Sequence, residues 1–168
     1  AAHERVAADL GPVDILVNAA GASSEAGLGD TDESTWRRIL ATRVSGTFLW
    51  SRAVMPGMLA RGWGRIVNLS GEGSASAPGG PADASASGAI ASLTAALARE
   101  GAARGVTANA IAPSFVRSQS AGGHLGDAQV RQILSTIPAG RFGEPEEFAH
   151  AVRFFASPSS GFVTGQTL

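Results

Sequence analysis

Apolar positions along this chain follow two rhythms. Three short runs, at residues 14–19, 65–70 and 106–112, are dense in Ile, Leu, Val and Ala. Runs of that length and composition predict strands covered on both faces, as in a parallel sheet. Between them the apolar residues recur at helical spacing. Trp36, Ile39, Leu40, Val44, Phe48 and Leu49 mark one long helix over residues 32–58, with Asp32 as its N-cap. Ile90, Leu93 and Leu97 mark one side of an alanine-rich helix over residues 84–103. Further helices are predicted over residues 3–10, stopped by Gly11 and Pro12, over residues 128–136, and from Pro145 onward. Proline suits a first turn, and Glu146 and Glu147 suit the positive end of that last helix. Residues 165–168 read as a fourth strand cut short.

Strands alternating with helices predict an α/β protein with a parallel sheet built from right-handed crossovers. The small, polar stretches 21–29, 71–82 and 117–126 are its loops. At 168 residues and 44% apolar content the chain has material for one domain with a real core. A net charge of -1 gives no basic excess for nucleic acid or an anionic membrane. There is no cysteine, which excludes thiolate nucleophiles and thiolate metal sites and favours an intracellular setting. No apolar run has membrane-spanning length and no signal peptide is visible. The expectation is a cytoplasmic protein. Because the chain opens with Ala1 inside a helical pattern, a fragment of something longer is also expected.

All thirteen basic residues besides histidine are arginine, and tyrosine and lysine are both absent. A compositional bias toward arginine accounts for a solvated surface, where the two cations are equivalent. It does not account for a site that requires lysine.

Four segments in order carry a recognisable pattern: Leu-Val-Asn-Ala-Ala-Gly at 16–21, Gly-Arg-Ile-Val-Asn-Leu-Ser at 64–70, Asn-Ala-Ile-Ala-Pro at 109–113, and Pro-Ala-Gly-Arg-Phe-Gly-Glu-Pro-Glu-Glu at 138–147. The last is followed by Phe-Phe-Ala-Ser and Val-Thr-Gly-Gln. Together they resemble the short-chain dehydrogenases/reductases. The resemblance implies a Rossmann-like parallel sheet with flanking helices, NAD or NADP as cofactor, and a small carbonyl or alcohol as substrate. It also implies an incomplete, N-terminally truncated member. The first β-α-β portion, with the glycine-rich turn whose N–H groups receive a pyrophosphate, is not in the sequence, so by the resemblance the chain is not expected to be a self-sufficient dinucleotide binder. The strand at 14–19 is then left as an apolar edge, a hazard for aggregation.

In that family a tyrosine moves the proton. A phenol titrates near pH ~10 and becomes useful near neutrality only beside a cation, which explains a tyrosine and a lysine four residues apart on one helix face. By the resemblance these positions are Ala84 and Gly88, and the asparagine of the proton relay is Arg43. The family's serine falls on Gly71, with Ser70 one residue earlier. Ser70 reads either as the catalytic serine or as a strand-end hydroxyl bonded to local backbone. Glu72, Asp83, Ser85 and Ser87 stand close to the emptied positions, Asp83 being expected as a helix cap. His124 falls where a substrate lid begins, His150 reads as surface, and no metal-ligand spacing is present.

On the cofactor side the resemblance picks out Asn18, Ala19, Ala20 and Gly21 beside the adenosine half, and Pro113, Val116 and Ser118 at the nicotinamide carboxamide and phosphate. Ser114 stands in place of a glycine there. The turns themselves also require such residues, so a purely structural reading remains beside the functional one. Homo-oligomers are expected through helices 32–58 and 84–103, where Ala86, Ala89, Ala91, Ala95 and Ala96 permit close approach. Three functions follow: an NAD(P)-dependent oxidoreductase inactive by the tyrosine/lysine route, a catalytically silent binding or oligomerisation partner, or a coding fragment without function.

Overall fold

The computed structural model describes residues 2–71, 80–117 and 126–168. Glu72, Ser118 and His124 lie outside these residues. Helix α1 (Ala2–Leu10) ends at Gly11, whose φ of 89° is the left-handed turn foreseen there. Strand β1 (Ile15–Asn18) follows, then α2 (Glu33–Leu40), a π-helical turn (Ala41–Ser45) and α3 (Gly46–Arg61). Strand β2 (Gly64–Leu69), α4 (Pro81–Gly101), a 3-10 turn (Ala102–Arg104) and β3 (Val106–Ile111) complete the central part. After it come α5 (Asp127–Thr136), α6 (Pro145–Ala156) and a last 3-10 turn (Pro158–Ser160).

Among the described residues the strands order as β1-β2-β3, all parallel. Residues 165–168 run beside β3 in the same direction. Gly165 N–H donates to the Ala108 carbonyl at 2.7 Å, and Ala110 N–H to the Gln166 carbonyl at 2.8 Å. The strand pleat sends alternate side chains to opposite faces. Leu16, Ile66 and Ala108 form one transverse row and pack under α3 and α4 with Val54, Met55, Met58 and Leu97. Val67 and Ile111 face the other way, against Phe155 and Val152 of α6. On that second face nothing among the described residues covers β1, and Ile15 and Val17 stay 44% and 41% exposed. The edge expected from the sequence is present.

Two expectations need correction. The helix over 32–58 is interrupted: the π turn inserts an extra residue, which shifts the phase of everything after it. Ile39 therefore enters the core while Phe48 and Leu49, assigned to the same stripe, are exposed. The second concerns the small face of α4. Ala86 is fully buried against Ile39 and Ala82 inside the chain and is not free to meet another subunit.

Arg65 explains how a cation survives in a central strand. Its guanidinium lies over the Trp63 ring at 4.7 Å and donates to the carbonyls of Ser157 (3.2 Å), Gly64 (2.9 Å) and Gly105 (3.2 Å). Burial pulls it below the usual arginine range, but the carbonyls at the C-terminal end of α6 favour a positive charge. Behind it, Gly62 and Gly105 end α3 and the 3-10 turn in left-handed geometry. A Cβ on Gly105 would stand 2.2 Å from the Gly62 carbonyl oxygen. Gly105→Ala combines left-handed strain of ~1–2 kcal/mol with that overlap. Urea denaturation is expected to show a loss of about 2–4 kcal/mol.

Candidate active site

Parallel strands point their carboxyl ends the same way, and in open α/β sheets ligands collect there. At this end lie the strand-end residues Asn18 and Ser70, the loop of residues 19–31, the first turns of α4 and the segment after β3. Asn18 donates through Nδ2 to Asn68 Oδ1 at 2.8 Å, and Asn68 donates in turn to Thr94 Oγ1 at 2.9 Å. That chain ties β1 and β2 to α4 and engages the Asn18 amide within the protein. Ala19, Ala20 and Gly21 continue from it, exposed. A Cβ added at Gly21 would meet nothing within 4 Å. Beside them opens a cavity of about 300 Å³, lined also by Thr42, Thr47 and Trp50, three residues the sequence did not single out. Small side chains leave this rim open.

Ala84 and Gly88 lie one turn apart on the exposed side of α4, with open space around Gly88. The groups the sequence placed near them form a network. Arg43 lies in the π turn, its side chain more than nine-tenths buried. Nη1 donates to Asp83 Oδ1 at 2.9 Å, and Nη2 to Ser87 Oγ at 2.8 Å and to the Ser70 carbonyl. Burial pulls the guanidinium below its usual range and the Asp83 charge opposes that shift. Arginine stays charged even so. Gly71 adopts φ 73°, and a Cβ there would come 3.0 Å from Nη2, so a side chain at this position would crowd the guanidinium.

Asp83 does not cap its own helix, contrary to expectation. The N-cap is Gly80, with Pro81 opening the helix. The Asp83 carboxylate instead takes Arg43 on one oxygen and the Ser24 N–H on the other, at 2.8 Å. Ser70 is 2% exposed, and its hydroxyl is directed at the carbonyls of Gly71 (3.2 Å) and Ile111 (3.4 Å). Ser87 is buried and donates to the Ser70 carbonyl at 2.6 Å. Ser85 and His150 are exposed. Among the described residues no group of three or more His, Asp or Glu is placed to hold a metal.

The segment after β3 is held from the other flank. Pro113 is half-buried, Ser114 exposed, and Val116 bridges to Gly143, with Arg117 N–H donating to the Gly143 carbonyl at 2.8 Å. Phe115 and Phe142 stack at 6.2 Å, Arg117 pairs with Glu144 at 3.0 Å, and Arg141 grips both Glu147 oxygens at 2.7 Å.

The comparisons bear on this arrangement. A family profile described as enoyl-(acyl carrier protein) reductase matches residues 1–168. The chain is 42% identical over 165 residues to an acetoacetyl-CoA reductase of Rhizobium meliloti, covering 98% of this chain and 68% of that protein. The chain belongs to the short-chain dehydrogenase/reductase family. Another relative, the 3-oxoacyl-(acyl-carrier-protein) reductase FabG of Escherichia coli, is 38% identical over 166 residues, 98% of this chain and 68% of its own. A solved gluconate 5-dehydrogenase from Burkholderia cenocepacia J2315, in complex with NADP and tartrate, superposes with a TM-score of 0.91. It is 33% identical and is matched over 99% of this chain and 66% of its own. The chain thus spans about two thirds of the length of these relatives. Short-chain dehydrogenases/reductases use NAD or NADP, and the Rossmann-like sheet expected from the sequence is the fold found.

The Glu147 pairing yields a pH prediction. Hydrogen bonds from Arg141 and from the Glu144 N–H hold its carboxyl down at about 2, from an ordinary 4.5. A depressed carboxyl contributes stability above its unfolded value and loses it as pH falls through the folded one. The clamp on residues 142–147 is therefore intact above about pH 4.5 and released toward pH 2. Carboxyl NMR should show a Glu147 midpoint near 2 that returns toward 4.5 in Arg141→Gln; a wild-type midpoint above 4 refutes the pairing.

Proposed function

We propose that this chain is the frame of a short-chain NAD(P)-dependent oxidoreductase, able to hold part of a nicotinamide dinucleotide but inactive by the tyrosine/lysine route. Ala19, Ala20 and Gly21 would border the adenosine half, and Pro113, Val116 and Ser118 would lie at the nicotinamide end. When bound, the dinucleotide would give a hydride to a carbonyl carbon or take one from an alcohol carbon. The oxygen gains a proton in the first direction and loses one in the second, and a group of the chain has to carry it.

The observation that carries the reading is the side of α4 that bears Ala84 and Gly88. A methyl group and a hydrogen cannot move a proton, and Arg43 fills the relay position with a cation whose Nη donors are engaged. Asp83, the acid adjoining Ala84 in the chain, has one oxygen on that cation and the other on a backbone N–H. Ser70 is read here as a strand-end residue, since its hydroxyl is directed at backbone carbonyls.

Relatives are named for reduction of acetoacetyl-CoA and 3-oxoacyl-carrier substrates, so 3-oxoacyl thioesters are the substrate class to try first. Fluorescence titration with NADH and NADPH is expected to show binding, and assays with acetoacetyl-CoA no turnover. Turnover that Ser70→Ala abolishes would overturn this reading, and no binding of either dinucleotide would leave a fold without a ligand.

The expected homo-oligomer has a specific support. Between α3 and α4 runs a groove of about 250 Å³ floored by Met55, Leu93 and Leu97, with Arg52 and Glu100 among its lining residues. A two-fold axis along the groove would turn the walls bearing Arg52 and Glu100 toward their opposites on a second copy, so that opposite charges could meet. We propose that a second copy of this chain occupies it. Light scattering should show a dimer that Arg52→Glu reduces to monomer; an unchanged mass rules the groove out as the interface.

A further inference from the structure

Arg43 joins parts of the chain that are far apart in sequence. It rises from the π turn and donates to the Ser70 carbonyl at the end of β2, to Ser87 in the second turn of α4 and to Asp83 in its first. Asp83 carries the connection onward: its second oxygen accepts the Ser24 N–H at 2.8 Å, and the Gly80 N–H returns to the Ser24 carbonyl at 3.0 Å. The loop of residues 19–31 is therefore fastened to α4 at a carboxylate whose direction the guanidinium fixes. The backbones also pass closely there, since a Cβ on Gly80 would stand 2.2 Å from the Ala26 carbonyl oxygen.

A buried ion pair adds little net stability over apolar side chains of the same shape. What it adds is direction. A planar guanidinium with donors on two edges can hold a carboxylate, a hydroxyl and a carbonyl in one fixed arrangement, which an ammonium on a flexible stem does not. We propose that Arg43, acting through Asp83, is the positioning residue for the loop of residues 19–31, and so for the rim of Ala19, Ala20 and Gly21. The chain has converted the position of a proton relay into a fastening for the cofactor-side loop. The link to a dinucleotide rests on the function proposed above; the fastening of the loop does not.

Amide hydrogen exchange on the ligand-free full chain tests the fastening, comparing Ser24 and Gly80 with Val67 and Ala108 in the sheet. In Arg43→Met the Ser24 and Gly80 amides are expected to exchange at least tenfold faster while Val67 and Ala108 keep their protection. Arg43→Lys should restore part of the difference. Asp83→Asn keeps an acceptor and the side-chain shape, and serves as the same test should Arg43→Met not fold. Ser24 protection that is unchanged, or that falls only in step with Val67 and Ala108, overturns the proposal. In a parallel NADPH titration Arg43→Met should bind at least tenfold more weakly than the unaltered chain. Should the unaltered chain bind no dinucleotide, the functional reading falls and the exchange data still decide the fastening.

Discussion

A strand with neighbours on both edges and helices on both faces leaves its side chains no water, and β2 is that strand. Every polar group on it must find a partner inside the protein or destabilise the sheet. Asn68 meets the demand through Asn18 and Thr94, and Arg65 through backbone carbonyls and the Trp63 ring. The Ser70 carbonyl, just past the strand, takes Arg43 and Ser87. These obligations connect the sheet to the π turn, α4 and the end of α6 more specifically than apolar packing does, and they run directly into the candidate site.

The site is consequently better described by what it holds in place than by what it could transform. Its rim of Ala19, Ala20 and Gly21 is small and open, its strand ends are tied together, and the segment after β3 is clamped to residues 142–147. Between them the exposed side of α4 bears Ala84 and Gly88, neither of which can carry a proton. Family membership and local chemistry answer different questions here: the first concerns ancestry and architecture, the second what these particular side chains can do.

Much of this was legible in the chain. Short apolar runs located the three strands, although β1 has one face uncovered among the described residues where the sequence predicted cover on both. Asp32, Gly11 and Pro145 marked helix ends through local backbone chemistry that needs no tertiary context. The four-residue spacing of Ala84 and Gly88 was legible as one face of a helix, and both are exposed on α4. The π turn was not, since nothing in residues 41–45 distinguishes it from an ordinary turn, and the stripe through Phe48 and Leu49 was misassigned with it. Ala86 was placed on the wrong side because alanine suits core and surface equally. Arg43 and Asp83 were each noticed, but they stand forty residues apart and no periodicity pairs them. Ser24 offers only its backbone, to which a sequence is blind.

The Arg43–Asp83 pair also constrains how this chain can change. Replacing Arg43 alone strands the Asp83 carboxylate, and replacing Asp83 alone strands the guanidinium. Breaking a buried pair from one side costs roughly 3–5 kcal/mol, against a total stability of roughly 5–15 kcal/mol for proteins generally. Each single substitution therefore gives up a large share of the stability while leaving a sheet that can still fold. The pair acts as a ratchet: its two members are easier to keep together than to exchange one at a time.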